Sequence, residues 1–534
     1  MRFPKKILAA CLCLSLTACS AIEYPEEETT VAELPPTEII LPEETTGITD
    51  KYQLVQPQIT QEEFSFEQEM EGNCDCTTRT ALDGYSGDGY VQLPAGEYTT
   101  VTVTVPTSQH YKISFSVCSA STKLQLIVGG TDVVTGDHGY NVPDGTAVGA
   151  YYIDESVAFN SFSLNGVFLE AGENKLTLLC LEGFAYIDSF SVERGKTVSD
   201  SYYKTNSTLV DKDATTGTVR IMQYLQSIYG EQTLTGQYVT ANTNTELNAV
   251  LETTGRSPAI RAADLSVYQE RCPSYSRENI DLQLAAEWAK SGGLVSYSWT
   301  WYAPGDESHY LAALTDFDFS NVSTEQKLGE VSLETVRELY GDGTITEETY
   351  LLIEDIDSMA EQMRILSDEG VTVLFRPLME AGRQWYWWGT DSESYKWLWT
   401  TLVERFAYHG LHNIIWVWNG ENAQFYPGDD YVDIISEDIY NSAMESGNIR
   451  FMETGYYNAD KAAALSECAF APNPDKLYRD NAMWLWFAVW RGDYIINADG
   501  SFSDAYISAE ELEYAYNHQL FVTLDELPET VMAQ

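Results

Sequence analysis

The segment Leu374-Phe375-Arg376-Pro377-Leu378-Met379-Glu380 sets a carboxylate just past a β-branched and apolar run, Val371 to Phe375, that reads as a buried strand. Four aromatics, Trp385-Tyr386-Trp387-Trp388, follow in what reads as a loop. Aromatic rings cover the apolar C–H faces of sugars, and a carboxyl group at their edge can protonate a glycosidic oxygen. A second carboxylate, Glu467, ends another apolar run in Ala464-Leu465-Ser466-Glu467-Cys468. Two carboxyl groups about 5–5.5 Å apart serve retaining glycoside hydrolysis, one as acid/base and the other as nucleophile. Taken singly, each glutamate reads as a structural ion pair with Arg376 or Arg261. Taken together, beside tryptophans, they read as catalytic.

Such groups must be held by strands, and eight candidates occur in order: Thr233–Tyr238, Pro258–Ala263, Gly293–Trp299, Thr372–Pro377, Asn413–Trp418, Tyr431–Ile435, Ala463–Glu467 and Met483–Val489. Helical patterns lie between most of them, for example Ile280–Ser291 and Glu348–Asp368. The alternation predicts a (β/α)8 barrel over 215–530, an α/β TIM barrel whose functional groups stand at the C-terminal strand ends. Those ends carry Asp264, Trp299 and Trp301, Glu380, Trp418 and Asn419, Asp438 and Tyr440, Glu467, and Trp490. Strands four and seven face each other across such a barrel, so Glu380 and Glu467 can meet over its mouth.

Residues 63–196 have a different grain. Short alternating runs such as Thr99-Val101-Val103-Val105 and Tyr111-Ile113-Phe115-Val117 are separated by Gly and Asp turns. That is the pattern of an antiparallel β-sandwich preceding the barrel. Residues 20–62 are rich in Glu, Thr and Pro and read as an extended acidic spacer.

The 534 residues carry a formal net charge of −51, which excludes nucleic acid as a partner by repulsion. An aromatic content of 13% agrees with a neutral glycan as ligand. Arg2, Lys5 and Lys6 precede a short apolar stretch, Ile7 to Leu16, which is too short to span a bilayer. It ends in Leu16-Thr17-Ala18-Cys19, which resembles a bacterial lipobox. The resemblance implies cleavage before Cys19, lipid attachment to its sulfur, and an anchor on the extracellular face of the membrane. Membrane contact is expected only through that anchor, and the default state is a monomer. The remaining cysteines (Cys74, Cys76, Cys118, Cys180, Cys272, Cys468) form no CxxC pair, and the six histidines form no metal-binding cluster. Scattered reduced thiols are the simple reading, with a Cys118–Cys180 disulfide as the alternative.

The motifs Thr235-Gly236-Gln237-Tyr238, Gly292 to Trp299, Phe375-Arg376-Pro377-Leu378 with Glu380, and Trp385 to Gly389 resemble family 26 glycoside hydrolases. So do Asn413 to Asn419, Tyr426 to Ile435 and Ala464-Leu465-Ser466-Glu467. The resemblance covers about 215–530. It implies a retaining, endo-acting β-mannanase that needs no cofactor for catalysis, with Glu380 as acid/base and Glu467 as nucleophile. Tyr440 would hydrogen-bond Glu467, Arg376 would support the local electrostatics, and Trp490 would form a platform under the sugar in the −1 subsite. Trp299, Trp385 and Trp388 would line nearby subsites. Two departures stand out: Met379 and Thr300 occupy positions where the family usually has histidine. They keep open mixed-linkage β-glucan or β-xylan as substrate, and a non-catalytic surface glycan-binding lipoprotein as a further alternative.

Residues 63–196 resemble, more weakly, a family 35 carbohydrate-binding module. The cues are Phe66-Glu67-Gln68-Glu69, Gly84 to Val91, Ala171 to Leu176 and Tyr186 to Val192. The resemblance implies a structural calcium held by Glu67, Glu69 and Asp188, whose hard oxygens suit that ion. Three solvated carboxylates without an ion are the alternative.

Overall fold

A computed structural model describes residues 51–532 apart from 56–58, 71–75, 137–138, 306–307, 441–445 and 458–459. The signal segment with Cys19, residues 20–50 of the spacer, and Cys74 lie outside the described residues. Among the described residues, no helix is long and apolar enough to cross a membrane.

The expected barrel is present. Its parallel strands close in chain order: β1 (Gly236–Tyr238), β2 (Ile260–Asp264), β3 (Leu294–Trp299), β4 (Val373–Pro377), β5 (Ile414–Trp418), β6 (Ile434–Ile439), β7 (Ala462–Cys468) and β8 (Phe487–Val489). All their residues are buried, because one face fills the barrel and the other meets the surrounding helices. The helix Glu347–Asp368 shows how that cover forms. Thr346 caps it by accepting from the Thr349 N–H, and Leu352, Ile353, Ile356, Met359, Ala360, Met363 and Leu366 bury one apolar stripe.

Three strands differ from expectation. Thr233–Leu234 separates from β1 and pairs in parallel with Phe521–Val522 outside the barrel. Gly236 marks the change, since a Cβ there would lie 2.5 Å from the Phe487 carbonyl oxygen of β8. Strand β6 starts later and runs further than Tyr431–Ile435, because Asp429–Tyr431 forms a 3-10 turn; Asp438 therefore lies within the strand. The eighth strand shortens from Met483–Val489 to Phe487–Val489.

The sandwich before the barrel has two main antiparallel sheets and a small hairpin sheet, Val133–Thr135 with Asn141–Pro143. One runs in the order Asn160–Leu169, Gln109–Ser119, Phe184–Arg194, Tyr90–Pro94, Thr78–Arg79, with Ser65–Glu69 also on Phe184–Arg194. The other runs Tyr98–Val105, Gly172–Glu182, Thr122–Val128, Thr146–Ile153. Val101, Val103 and Val105 point into the core while Thr102 and Thr104 face solvent, which is the period-two alternation read from the sequence. Cys118 and Cys180 are not joined. Cys118 Sγ instead donates to the Ser156 carbonyl at 3.1 Å, and Cys180 Sγ lies 3.3 Å from Thr122 Oγ1.

Two points of the acidic spacer are docked on the rest of the chain. Tyr52 donates its N–H to the Asn517 carbonyl and accepts from the Gln519 N–H, and Gln109 holds the Glu62 backbone. Hydrogen bonds from backbone at Tyr52 and from a side-chain amide at Glu62 anchor the segment there.

Sandwich and barrel share an interface centred on the helix Asn448–Thr454. Ile449 is part of the sandwich core, and Asn448 Nδ2 donates to the Gly166 carbonyl at 2.7 Å. Nearby, His110 Nε2 meets Asp480 Oδ1 at 2.8 Å with both side chains buried. Arg479 clamps the same carboxylate through two bonds (2.7 and 2.9 Å) and lies 3.9 Å over the Phe168 ring. Burial opposes ionisation of Asp480, but the bonds from His110 and Arg479 hold it down at about 2. Its folded-state pKa lies below the ordinary aspartate value, so its stabilisation is present above about pH 4 and disappears as pH falls towards 2. An Asp480→Asn variant is expected to be less stable than the parent by about 2 kcal/mol at pH 7. Thermal unfolding at pH 7 and pH 2.5 checks this: the gap should narrow in acid, and a gap independent of pH refutes it.

Candidate active site

Glu380 stands beyond the end of β4, at the entrance of the 3-10 turn Ala381–Arg383. Its backbone is left-handed (φ 52°), as is that of Leu378 (φ 53°), a conformation that costs a non-glycine residue free energy and must be held by its surroundings. The holding groups are visible. The Glu380 N–H donates to the Asn419 carbonyl at 2.6 Å, and Trp388 Nε1 donates to the Met379 carbonyl at 2.8 Å. Gly382 fits against the loop after β5, where a Cβ would come within 2.6 Å of the Asn422 Cβ. The Glu380 side chain is buried, and Arg383 Nη1 lies 2.9 Å from its Oε1. Burial holds its carboxyl well above the usual carboxylate range. Arg383 pulls it down, while Asp438, Glu421 and Glu467 push it further up.

Glu467 projects from β7 and is bound on both oxygens. Arg376 Nη2 meets Oε1 in a close ion pair, and the Tyr440 hydroxyl donates to Oε2 at 2.5 Å. Arg376, from β4, is fully buried and makes three more contacts: Asp438 Oδ2 at 2.9 Å, Asn419 Oδ1 at 2.9 Å and the Tyr238 hydroxyl at 3.0 Å. A buried guanidinium bound this way, with the phenol on the other oxygen, fixes the direction in which the Glu467 carboxyl group points, as a nucleophile requires. Asp438 is completed by Ser466 Oγ at 2.8 Å. Burial raises its pKa to about 7, with Arg376 opposing and Glu467 adding. The C-terminal mouth of the barrel thus holds one carboxyl biased towards its protonated form and one carboxylate fixed by a cation and a phenol. That division of labour is what double displacement at a sugar needs.

The sequence pattern of "Glycosyl hydrolase family 26" matches residues 210–526. The chain is a family 26 glycosyl hydrolase. A mannan endo-1,4-beta-mannosidase of Thermothelomyces thermophilus is 31% identical over 466 residues, spanning 84% of this family 26 chain and 88% of that protein. A mannan endo-1,4-beta-mannosidase B of Piromyces is 27% identical over 84% of this chain and 74% of its own length. Among solved structures, a Podospora anserina GH26-CBM35 beta-(1,4)-mannanase superposes with a TM-score of 0.54 at 28% identity, covering 88% of this chain and 99% of that one.

Among the aromatics expected at subsites, this family 26 hydrolase divides them into two groups. Trp490 and Trp385 are partly exposed. Trp490 packs 4.7 Å from Tyr238 between ring centres, and Arg383 lies 5.3 Å from the Trp385 ring. Trp299 and Trp388 are completely buried and present no face to a sugar. Trp299 stacks on Trp301 at 3.9 Å, and Trp388 braces the turn that carries Glu380. These two are therefore supports, which corrects the expectation that they line subsites. Sequence alone cannot separate a tryptophan under a site from one beside it.

Arg261 pairs with Asp281 at 2.7 Å and not with either glutamate. Thr300 binds Asp264 through both its N–H and its hydroxyl, each at 2.9 Å, so the position where the family usually has histidine here organises the end of β2. Asn419, Asp438, Tyr238, Arg383 and Glu421 complete the site. Asn419 and Asp438 had been placed at strand ends by the sequence, whereas only the spacing of Arg383 three residues after Glu380 hints at its part.

In the sandwich, Glu67, Glu69 and Asp188 are not among the carboxylates that converge closely enough to share an ion. Ser86 bridges two of them: its hydroxyl lies 2.9 Å from a Glu69 oxygen and 3.0 Å from an Asp188 oxygen, and its N–H donates to Asp188. Glu67 is exposed and Asp188 accepts from serines, and no role is built on that ion.

Tyr440→Phe removes one hydrogen bond to a charged group, worth about 1.5–3 kcal/mol, or roughly ten- to a hundredfold in rate. The expected result is a fall of that size in kcat/KM in a variant that still unfolds in one cooperative transition. A rate within twofold of the parent would exclude the role for this phenol.

Proposed function

We propose that this family 26 hydrolase is an endo-acting mannan endo-1,4-β-mannosidase that cleaves β-1,4-mannosidic bonds in mannan, glucomannan or galactomannan with retention. The observation that carries the reading is the union of the Glu380 and Glu467 geometry with near full-length similarity to proteins named for that activity. In the first step Glu380 gives its proton to the glycosidic oxygen while Glu467 attacks the anomeric carbon; the leaving chain departs as an alcohol and a glycosyl ester forms. Esterification removes the Glu467 charge, and with it one of the groups that keeps Glu380 protonated. Glu380, already a carboxylate after giving up its proton, is more easily held in that form, takes a proton from water as the water attacks the ester, and Glu467 is released. Arg376 and Tyr440 receive the returning negative charge.

Reducing-end release from galactomannan, glucomannan, mixed-linkage β-glucan and xylan tests this. Turnover on the mannans supports the reading. Met379 and Thr300 favour the second reading, the same chemistry on β-glucan or β-xylan, and turnover there alone would select it. Polysaccharide binding without turnover on any substrate would leave a glycan-capture lipoprotein.

The sandwich is proposed as a carbohydrate-binding module, supported by its two-sheet architecture and by the likeness to a GH26-CBM35 protein across both domains. The Arg2 to Cys19 segment supports a lipid-anchored protein on the outer face of the membrane. Palmitate labelling that disappears with Cys19→Ala would establish the anchor, and unchanged labelling would refute it.

A further inference from the structure

Three carboxylates, Glu380, Glu421 and Asp438, offer oxygens that all lie within 4.8 Å of one another. Left alone, such a group would repel itself and stay largely protonated. A guanidinium stands among them. Arg383 reaches Glu380 Oε1 with Nη1 (2.9 Å) and grips Glu421 with the opposite edge of its fork, Nε to Oε2 at 2.6 Å and Nη2 to Oε1 at 3.0 Å. Nη2 also donates to the Asp438 carbonyl at 3.0 Å.

Glu421 is itself tightly held. Its backbone is left-handed (φ 52°), its Oε1 accepts the Asp438 N–H at 3.1 Å, and Arg450 approaches Oε2 at 3.4 Å. Arg450 also pairs with Glu437 at 2.5 Å, from the helix that docks the sandwich. Arg383 therefore has no freedom to swing away as the charge on Glu380 changes. The planar fork makes this possible, because one cation serves two carboxylates and a carbonyl in a single orientation.

We propose that Arg383, locked in place by Glu421, is the positioning residue that allows the acid/base to switch from proton donor to proton acceptor within each catalytic cycle. The inference rests on the reading of Glu380 as the acid/base. A buried carboxyl surrounded by Glu421 from the loop after β5, Asp438 from β6 and Glu467 from β7, with the Tyr440 phenol beside it, is a ready acid and a reluctant base. The fixed cation offsets that surplus of negative charge, and the gain falls on the second step, where Glu380 must be ionised to activate water.

The test is the pH dependence of kcat/KM on mannan for Arg383→Met, Arg383→Lys and the parent. The limb on the alkaline side reports loss of the Glu380 proton. Removing an opposite charge this close should move that limb up by about one pH unit or more. The same variant should accumulate glycosyl-enzyme with an activated aryl mannoside, seen as a burst, because the base-assisted step is slowed. Arg383→Lys keeps the charge and loses the fork, so its limb should fall between the other two. It also keeps the test decisive if Arg383→Met does not fold. A uniform loss of rate with the limb unmoved would mean that Arg383 is merely structural, and a Lys profile superimposable on the parent's would equally overturn the inference. Glu380→Ala separates the two readings: if that variant retains full activity on mannan, the acid/base assignment itself falls. If it is inactive and rescued by azide while the Arg383 limb is unmoved, only the inference about Arg383 fails.

Discussion

Glu467→Ala is expected to lower turnover on mannan by roughly 10⁵-fold, about 7 kcal/mol of lost transition-state stabilisation. No other group in the site can take over. The covalent step needs a carboxylate held at the anomeric carbon, and Arg376 and Tyr440 are both arranged around this one. Removal also leaves Arg376 with Asp438 as its remaining carboxylate partner, so the buried cation is not stranded and the fold should survive. The measurement is reducing-end release at high enzyme concentration, with a melting curve as control and binding to insoluble mannan as a second readout. Retained binding with turnover lost is the expected pair. Turnover within tenfold of the parent would remove Glu467 from the mechanism.

Glu380→Ala should have the second largest effect, and its size should depend on the leaving group. General acid catalysis contributes typically 10²–10⁴-fold, and a poor sugar leaving group needs all of it. On polysaccharide the loss should therefore be about 10³–10⁴-fold. An aryl mannoside with an acidic phenol needs no proton from the enzyme, so its glycosyl-enzyme should still form quickly and then stall for want of a base. Azide, an anionic nucleophile that requires no deprotonation, should restore the second step and yield the glycosyl azide of retained configuration. The decisive observation is the contrast between the two substrates. Equal losses on both, with no rescue, would point to a structural role for the left-handed turn that carries Glu380.

Much of the fold was legible because barrel strands carry a strong local signal. A run such as Ile414-Ile415-Trp416-Val417-Trp418 is apolar on both faces, which only a strand covered on both sides tolerates. Strand limits were less legible where pairing, not composition, sets them. Thr233–Leu234 is as apolar as its continuation, yet close packing at Gly236 sends it to a different partner. The disulfide alternative failed for a similar reason: two cysteines in one domain have no local mark of their separation.

The amino-acid sequence by itself determined which carboxylates stand at the ends of which strands, since an acidic residue closing an apolar run has no other place to go than the barrel mouth. It also carried the family, through motifs in order on successive strands. Only the tertiary structure decided the electrostatics. Arg376 and Arg261 are equivalent in sequence as partners for a glutamate, but Arg376 alone lies beside Glu467, while Asp281 takes Arg261. Trp388 and Trp385 differ by three positions, yet one is a buried brace and the other is partly open to solvent. The charge on Glu380 depends on Glu421, Asp438 and Glu467, which lie 41, 58 and 87 residues away by subtraction of their numbers. Interactions of that kind fall off with distance in space and are indifferent to distance along the chain, so they exist only once the barrel has closed.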